Sequence, residues 1–444
     1  MTKEISLDQI KQFNSTYYAS KNHLISQRAV MKNGILAASE NQSSLVKNNP
    51  VFSIDLDTGK VANQKQSGRC WMFAALNTFR HHISETFQIK DFELSQNHTF
   101  FWDKFEKANY FYENILNTAT KPLSCRKVAF LLQTPQQDGG QWDMLVAIIQ
   151  KYGIVPKTVM PETFSSSQSR DLNEFLNKKL RKDAISLRQM VENEQSIEEI
   201  SKAKEGMLQE VYNLLATSLG TPPEQFDFSY VDTDGNYQLK QNLTPLSFYD
   251  EFVGRNLSDY VSIINAPTKD KPYNQMYAVE LLGNVVGGKE VRHLNVDINT
   301  FKNLAIEQLK ADEAVWFGCD VGQSSTKDSG IMATDVFSVS ETLDVDYTMT
   351  KAERLDYGES LMTHAMVITG VDLVNDVPTK WKVENSWGDK VGTKGYFVMS
   401  DEWLDEYTYQ IVINKKFLPK ELLDVIEKDD ATLLKPWDPM GALA

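Results

Sequence analysis

The segment Gln64-Lys65-Gln66-Ser67-Gly68-Arg69-Cys70-Trp71 decides how this sequence is interpreted. A single thiol in it is followed within a few residues by the helix-favouring run Ala74-Ala75-Leu76, and apolar residues recur from position 71 at helical spacing. We therefore predict that a helix begins near Cys70 and that the positive end of its dipole lies close to the sulfur. Such surroundings favour the thiolate, which is the nucleophilic form of cysteine.

Two later segments supply the groups that a reactive thiol needs. They are Thr363-His364-Ala365-Met366 and Glu384-Asn385-Ser386-Trp387-Gly388. An imidazole can take the proton of a thiol and later return it to a leaving amine, and a carboxamide can orient the ring without adding a competing negative charge. We predict that Cys70 is a nucleophile, that His364 is its base and acid, and that Asn385 orients the imidazole.

These segments resemble the papain-like thiol peptidases, which carry Cys, His and Asn in this order. A Gln lies six residues before the Cys, and a Trp follows it. Further matches are the glycine-rich turn at 138–140, the Tyr152-Gly153 pair after a helix, and the glycines that follow Asn385 at positions 388, 392 and 395. The resemblance implies an α+β papain-like fold, in which a helical subdomain faces a β-barrel-like subdomain.

The resemblance also implies roles for residues around the three catalytic groups. Gln64 would donate to the oxyanion together with the backbone N–H of Cys70, an interaction worth about 3 kcal/mol of the barrier in such enzymes. Gly139 and Gly140 would let an extended substrate backbone approach and pair. Trp387 would shield the imidazole–carboxamide hydrogen bond, and the remaining expected substrate contact is Thr363.

A closer resemblance, to the bleomycin hydrolase and bacterial aminopeptidase C group, extends over essentially the whole chain. It rests on Gly68-Arg69-Cys70-Trp71, Glu93-Leu94-Ser95-Gln96, Phe101-Trp102-Asp103-Lys104 and Lys435-Pro436-Trp437-Asp438-Pro439-Met440. The resemblance implies a cysteine aminopeptidase of broad specificity that acts on peptide substrates through a thioacyl-enzyme. It further implies a homohexamer and a carboxyl-terminal arm whose last carboxylate, at Ala444, meets the substrate's free amino group.

The spacing of the catalytic residues predicts a large insertion. His364 follows Cys70 by 364 − 70 = 294 residues, whereas simple papain-like enzymes place about 130–150 residues between them. We predict an N-terminal extension at 1–55, a helical subdomain at 56–164, a mainly helical insertion at 165–290, a β subdomain at 291–415 and a C-terminal arm at 416–444. A charged run, 171–219, is interpreted as one long helical stretch, and a helix is also predicted from 92 to 109.

Charge and cysteine content limit the possible partners and compartments. The net charge of the 444 residues is 46 − 60 = −14, which argues against non-specific binding to nucleic acid. No apolar run approaches the roughly 20 residues of a membrane span, and the first residues show no apolar signal-peptide core. Three widely spaced cysteines do not form a disulfide framework, so we expect a cytoplasmic protein.

The sequence predicts no metal site and no cofactor. His81 and His82 are adjacent, and adjacent residues on a helix diverge by about 100°, so the two rings would not share one ion. The run Asp232-Thr233-Asp234-Gly235-Asn236 superficially resembles a calcium loop, but its Gly is two positions early and no Glu stands at the twelfth position. We interpret that run as a turn.

Four other functions remain open at this stage. The same Cys, His and Asn would serve a cysteine endopeptidase, or an acyltransferase that uses an amine in place of water. A nucleic-acid-binding protein with an enzyme-like fold is disfavoured by the net charge of −14. An inactive scaffold is disfavoured because all the expected catalytic groups are present.

Overall fold

A mixed β-sheet and a layer of helices make up most of the molecule, and the predicted catalytic residues lie where the two meet. The computed structural model describes residues 4–428 and 430–444. The chain begins with four helices, α1 (Leu7–Ala19), α2 (Lys21–Asn33), α3 (Ile35–Ser39) and α4 (Gln42–Lys47). Helices α1 and α2 contain no buried residue, although α2 packs on α3 and on a later helix, Val339–Leu343.

The helical layer follows a short strand. Its elements are β1 (Ile54–Asp55), α5 (Cys70–Phe87), α6 (Gln96–Asn117), α7 (Arg126–Gln133) and α8 (Trp142–Tyr152). Helix α5 is almost entirely buried over its first four turns, which places it at the centre of the core rather than on the surface. A helix that is buried on all sides in this way is enclosed by other elements.

Residues 164–279 combine helices with strands. The elements are α9 (Phe164–Ser167), α10 (Arg170–Glu192), α11 (Ile197–Leu219), β2 (Phe226–Val231), β3 (Tyr237–Leu243), α12 (Pro245–Phe252), β4 (Tyr260–Ile264) and β5 (Gln275–Val279). Helices α10 and α11 pack on α6, as expected for a helical insertion, whereas β4 and β5 belong to the main sheet. The limits of the predicted units remain predictions. The strands between residues 226 and 279, inside the insertion predicted to be mainly helical, were not predicted.

The rest of the chain builds most of the sheet. Its elements are β6 (Arg292–Asn295), α13 (Ile298–Lys310), β7 (Val315–Cys319), β8 (Ser325–Thr326), β9 (Ile331–Met332), α14 (Val339–Leu343), α15 (Lys351–Tyr357), β10 (His364–Val374), β11 (Val377–Glu384), β12 (Tyr396–Ser400), α16 (Asp401–Tyr407), β13 (Thr408–Asn414), α17 (Lys420–Glu427) and β14 (Ala431–Leu434). The strand order is β14-β5-β6-β4-β13-β7-β10-β11-β12-β9-β8, and β1 pairs with β10. The predicted α+β class is confirmed.

Helix α5 is fastened to the sheet at two points. The indole N–H of Trp316 on β7 donates to the carbonyl of Trp71 at 3.0 Å. Further along the helix, Arg80 forms a buried ion pair of 2.6 Å with Glu384, the last residue of β11. The first contact holds the start of α5 against β7, which pairs with β10. The second holds a later turn of α5 against Glu384, the residue before Asn385.

Two predicted helix limits were wrong for local reasons. Helix α6 begins at Gln96, because the hydroxyl of Ser95 accepts the N–H of His98 and caps it. The predicted single run from 171 to 219 is two helices, because Glu194 adopts a left-handed conformation (φ 55°) and Ser196 starts α11 with a capping box. Among the described residues, every helix is too short or too polar to span a bilayer.

Candidate active site

The sulfur of Cys70 lies at the amino end of α5. Arg69 occupies the N-cap position without capping the helix through its side chain, so the first backbone N–H groups are available to the thiol. The N–H groups of Ala365, Trp71 and Cys70 itself all interact favourably with the sulfur. Because Ala365 directly follows His364 on β10, the sulfur lies against the beginning of that strand.

The imidazole of His364 is held by Asn385. Its Nε2 lies 2.9 Å from Oδ1 of Asn385, and the N–H of Ser386 donates to the same oxygen at 2.7 Å. Since this oxygen accepts from Ser386, we assign the hydrogen of the neutral ring to Nε2. That tautomer leaves Nδ1 as the nitrogen that can take a proton.

Burial disfavours charge on the thiol of Cys70 or the imidazole of His364 alone. It raises the pKa of the Cys70 thiol to about 11, against the opposing effect of the Ala365, Trp71 and Cys70 backbone donors. Burial also lowers the pKa of His364 to about 4, and the hydrogen bond to Asn385 works in the opposite direction. A thiolate and an imidazolium can therefore form here only together, as a pair that shares one proton transfer.

Gln64 lies beside the thiol segment in a fixed orientation. Its side-chain oxygen accepts from the hydroxyl of Ser386, and its amide nitrogen donates to the carbonyl of Ser67 at 2.6 Å. The amide nitrogen carries two hydrogens, so one remains for a further acceptor. The residue after Asn385 thus sets which end of the Gln64 amide serves as a donor.

Two buried ionic contacts support the loop before the thiol. Arg69 is fully buried and forms a two-pronged hydrogen bond with Glu162, at 2.7 and 3.1 Å. Asp138 accepts the N–H of Gly68 at 3.0 Å and pairs with buried Lys104 at 2.7 Å. Burial alone would raise the pKa of Asp138, but the charge of Lys104 and the hydrogen bonds outweigh it and hold that pKa well below its usual range.

The glycines after Asp138 contact the end of the chain. The N–H of Gly140 donates to the carbonyl oxygen of Ala444 at 3.1 Å, and the N–H of Ala444 donates back to Gly140 at 3.3 Å. A Cβ added to Gly139 would lie 2.8 Å from that Ala444 oxygen, so only glycine permits the approach. Ala444 is buried, and the structure therefore brings the predicted residues 139, 140 and 444 together.

Trp387 and Thr363 flank the imidazole differently. The ring of Trp387 lies 5.0 Å from that of His364, centroid to centroid, where it covers the imidazole. Thr363 is exposed, and its hydroxyl donates at 3.0 Å to Asp320, a buried carboxylate that also accepts from Ser360. Thr363 therefore lies at the rim of the site with its hydroxyl already engaged.

Sequence reasoning missed the ionic partners behind the site. Lys104 and Asp138 both occur in segments that carried the family resemblance, yet nothing in their spacing shows that they form a pair. The same holds for Arg69 and Glu162, which are 93 residues apart. An Arg directly before the thiol was the one available signal, because a buried guanidinium requires an acidic partner.

The comparisons with known proteins agree with this geometry. A family model described as the peptidase C1-like family matches residues 4–441. Aminopeptidase C of Lactobacillus delbrueckii subsp. lactis is 54% identical over 446 residues, covering 100% of this chain and 99% of the relative. Aminopeptidase C of Streptococcus thermophilus is 56% identical over 441 residues, covering 99% of each chain.

A solved structure shows the same fold. The crystal structure of PepW from Lactobacillus rhamnosis HN001 is 64% identical, has a TM-score of 0.99 and covers 100% of both chains. With the family match, this likeness confirms the predicted papain-like fold. The chain therefore belongs to the peptidase C1-like family, and it is a cysteine-type aminopeptidase.

Proposed function

We propose that Cys70, His364, Asn385 and Gln64 carry out the peptidase reaction and that Ala444 makes it specific for amino termini. The observation that carries the proposal is the hydrogen bond between Nε2 of His364 and Oδ1 of Asn385, which leaves Nδ1 as the base beside a thiol at a helix start. Peptides are the substrate class, and the enzyme removes their first residue.

The reaction follows from the positions of these groups. The proton of Cys70 passes to Nδ1 of His364, and the sulfur attacks the carbonyl carbon of the first residue. The resulting oxyanion receives the backbone N–H of Cys70 and the remaining amide hydrogen of Gln64. The imidazolium then protonates the leaving amine, which departs with the rest of the peptide and leaves a thioester on Cys70.

Hydrolysis of the thioester uses the same groups in reverse order. The neutral imidazole of His364 takes a proton from water, and the hydroxide attacks the thioester carbonyl. The second oxyanion occupies the same pocket, and its collapse expels the thiolate and releases the cleaved residue as a carboxylic acid, which loses its proton to solvent. The proton on His364 returns to sulfur, so that every group regains its starting state.

Preference for a free amino terminus follows from the position of Ala444. Its two backbone hydrogen bonds with Gly140 use the pairing that an extended substrate residue would use on the same side of the thiol. A longer substrate would therefore collide with the arm. A carboxylate at Ala444 would also attract the α-ammonium group, by about 1 to 4 kcal/mol for charges about 4 Å apart in partly hydrated surroundings.

The test compares an aminoacyl fluorogenic substrate with its N-acetylated twin, in the full chain and in a chain that ends at Gly441. Intact mass measurement first establishes that the purified chain ends at Ala444. We expect the full chain not to cleave the N-acetylated substrate. The shortened chain should cleave the N-acetylated substrate and also internal peptide bonds. A shortened chain that still requires a free amino group would refute the role of the arm.

We also propose that the protein forms a homohexamer. Helices α1 and α2 support this assembly, because they expose large apolar side chains that another copy could cover (Leu7, Ile10, Phe13, Ile25 and Met31). A closed assembly would restrict access to the active sites to peptides. The enzyme would then need no removable pro-segment to protect other proteins. Light scattering measures the mass in solution, and a monomer would refute the assembly.

We propose a cytoplasmic location for this enzyme. All three cysteines, at positions 70, 125 and 319, are unpaired in the structure. Free thiols, one of them the nucleophile, are kept reduced by the cytosolic thiol pool. Cell fractionation with detection of the native chain checks the location, and recovery in an oxidising compartment would contradict it.

A further inference from the structure

Three side chains outside the catalytic site converge near the middle of α5. Nε2 of His81 lies 3.7 Å from a carboxylate oxygen of Glu85, one turn along the helix, and 4.0 Å from a carboxylate oxygen of Asp312. The three potential ligand atoms all lie within 4.8 Å of one another. Asp312 comes from the turn just after α13, more than 200 residues away in sequence.

The histidine makes this more than an acidic cluster. His81 is only 3% exposed, and its Nε2 has no hydrogen-bond partner among the described residues. An unpaired buried ring nitrogen costs free energy unless a proton donor or a metal ion meets it. The two carboxylates lie in its direction, but both are beyond hydrogen-bond distance.

Among the described residues, neither carboxylate forms a salt bridge with a Lys or Arg side chain. Their ligand oxygens lie within 4.8 Å of each other. Two acidic groups in contact require either a shared proton or a cation, and the unpaired imidazole nitrogen nearby is a ligand for the second.

Local structure explains why these three residues meet and why His82 does not join them. His81 and Glu85 are four residues apart, so they lie on one face of α5. Asp312 adopts a left-handed conformation, with φ 59°, in the turn that joins α13 to β7. The His82 ring instead interacts with the backbone at Val253, in agreement with the divergence expected of adjacent helical residues.

We propose that His81, Glu85 and Asp312 form a binding site for a zinc-class divalent metal ion, with water as a fourth ligand. One imidazole nitrogen and two carboxylate oxygens form a ligand set that suits Zn²⁺ better than Mg²⁺ or Ca²⁺. Bonds of about 2.0–2.2 Å to each ligand atom require small shifts of the carboxylates. Such shifts are permitted, because the side chains of Glu85 and Asp312 are 54% and 62% exposed.

The site would connect two layers of the fold. An ion can reach the site from solvent on the side of the exposed carboxylates of Glu85 and Asp312. A bound ion would link α5, the helix that begins at Cys70, to the turn between α13 and β7, an inner strand of the sheet. Its expected effect is on the stability of the fold, because His81 lies three turns from the thiol and takes no part in the reaction.

The test measures Zn²⁺ binding and thermal unfolding of the full chain. Because a thiol and an imidazole are themselves zinc ligands, all variants carry Cys70→Ala to remove the thiol of the active site. We expect one equivalent of Zn²⁺ to bind and to raise the unfolding midpoint by several degrees, with no shift from Mg²⁺ at the same concentration. Asp312→Asn and Glu85→Gln should each weaken binding at least about tenfold, since ligand-sphere changes have effects of this size or more.

A matched control separates loss of a ligand from loss of a turn residue. Asp376→Asn changes an exposed aspartate that also has positive φ, at 64°, and it should leave zinc affinity unchanged. Both ligand variants replace exposed side chains, so folding of the chain is maintained for the comparison. The proposal is overturned if the parent shows no saturable zinc binding, which is the result expected if Glu85 and Asp312 only share a proton. It is also overturned if both ligand variants bind zinc as tightly as the parent does.

Discussion

Two segments meet at the candidate active site, and they are held there by different forces. The segment from Gln64 to Trp71 is anchored through buried charges, since Arg69 is bound by Glu162 and Gly68 by the carboxylate of Asp138. The last residues, 442–444, are held mainly by hydrogen bonds to backbone atoms. The difference indicates that the position of the thiol is fixed by the whole core, whereas the position of the chain end depends on a few local contacts.

The base of the arm shows where this weaker attachment begins. Lys271 pairs with Asp438 at 2.9 Å, and the guanidinium of Arg126 lies 3.6 Å from the ring centre of Trp437. Beyond these residues the arm runs into the candidate active site, where the side-chain amide of Gln141 donates to the carbonyl of Ala442 at 2.6 Å. Changes in the first segment should therefore abolish chemistry or folding, and changes at the chain end should alter which substrates are accepted.

The largest effect is expected from removing the thiol. Cys70→Ala should lower kcat/KM on an aminoacyl fluorogenic substrate by about 10⁴-fold or more, because no other group can form the thioester. Cys125→Ala, at the start of α7, is the matched control and should keep full activity. If Cys70→Ala retains activity within tenfold of the parent, Cys70 is not the nucleophile.

The second effect concerns the charge behind the thiol segment. Asp138→Asn leaves buried Lys104 without its carboxylate, which should lower the free energy of unfolding by about 3 kcal/mol at pH 7. The pKa of Asp138 is depressed in the folded state, so its contribution is complete above the ordinary Asp pKa of about 4 and falls only at lower pH. Denaturant unfolding at pH 7 and below pH 4 measures this difference.

An exposed aspartate provides the control for that measurement. Asp356→Asn, at the end of α15, should change the free energy of unfolding by no more than about 0.5 kcal/mol. Equal stability of Asp138→Asn and the parent at pH 7 would show that the buried pair does not anchor the segment. A stability difference that grows on acidification would contradict the sign derived from the depressed pKa.

The two segments also differ in how far sequence predicts them. The helix start at Cys70 follows from local residues, and the papain-like fold follows from a resemblance carried by three short motifs. The partners of Arg69 and Asp138 could not be predicted, because a pair such as Lys104–Asp138 depends on how α6 packs and not on spacing. For the same reason the acidic neighbour of His81 at position 312 escaped a search for local metal motifs.

Strands inside the predicted insertion show a second limit of sequence reasoning. The run from Tyr260 to Ile264 is buried at every position, and a short apolar run does not reveal whether it is a strand or part of a helix. Its pairing with β13 is set by residues 150 positions later. The helices of residues 170–219 were predictable because their periodicity is long and local, although the break at Glu194 was not.

The third effect tests the orientation of the imidazole. Asn385→Ala should lower kcat/KM by about 10- to 100-fold, the value of a hydrogen bond to a charged group. Because that bond raises the pKa of His364, its loss should also move the acid limb of the kcat/KM profile to lower pH. Asn385→Asp provides the opposite case, since its negative charge should move the acid limb to higher pH. A lower rate with an unmoved acid limb in both variants would assign Asn385 to packing alone.

The smallest effect separates the two segments most sharply, because adjacent glycines face them. A Cβ at Gly139 would lie 2.9 Å from Leu443 and 2.8 Å from the oxygen of Ala444, whereas one at Gly140 would lie 2.5 Å from the ring of Trp71. Gly139→Ala should displace the chain end and lower the preference for free over acetylated substrates by about tenfold, about 1.4 kcal/mol. Gly140→Ala should instead mainly reduce kcat on the substrate with a free amino group, because the added Cβ disturbs Trp71, the residue next to the thiol. If the two variants change the substrate preference to the same extent, the thiol segment and the chain end are not independent.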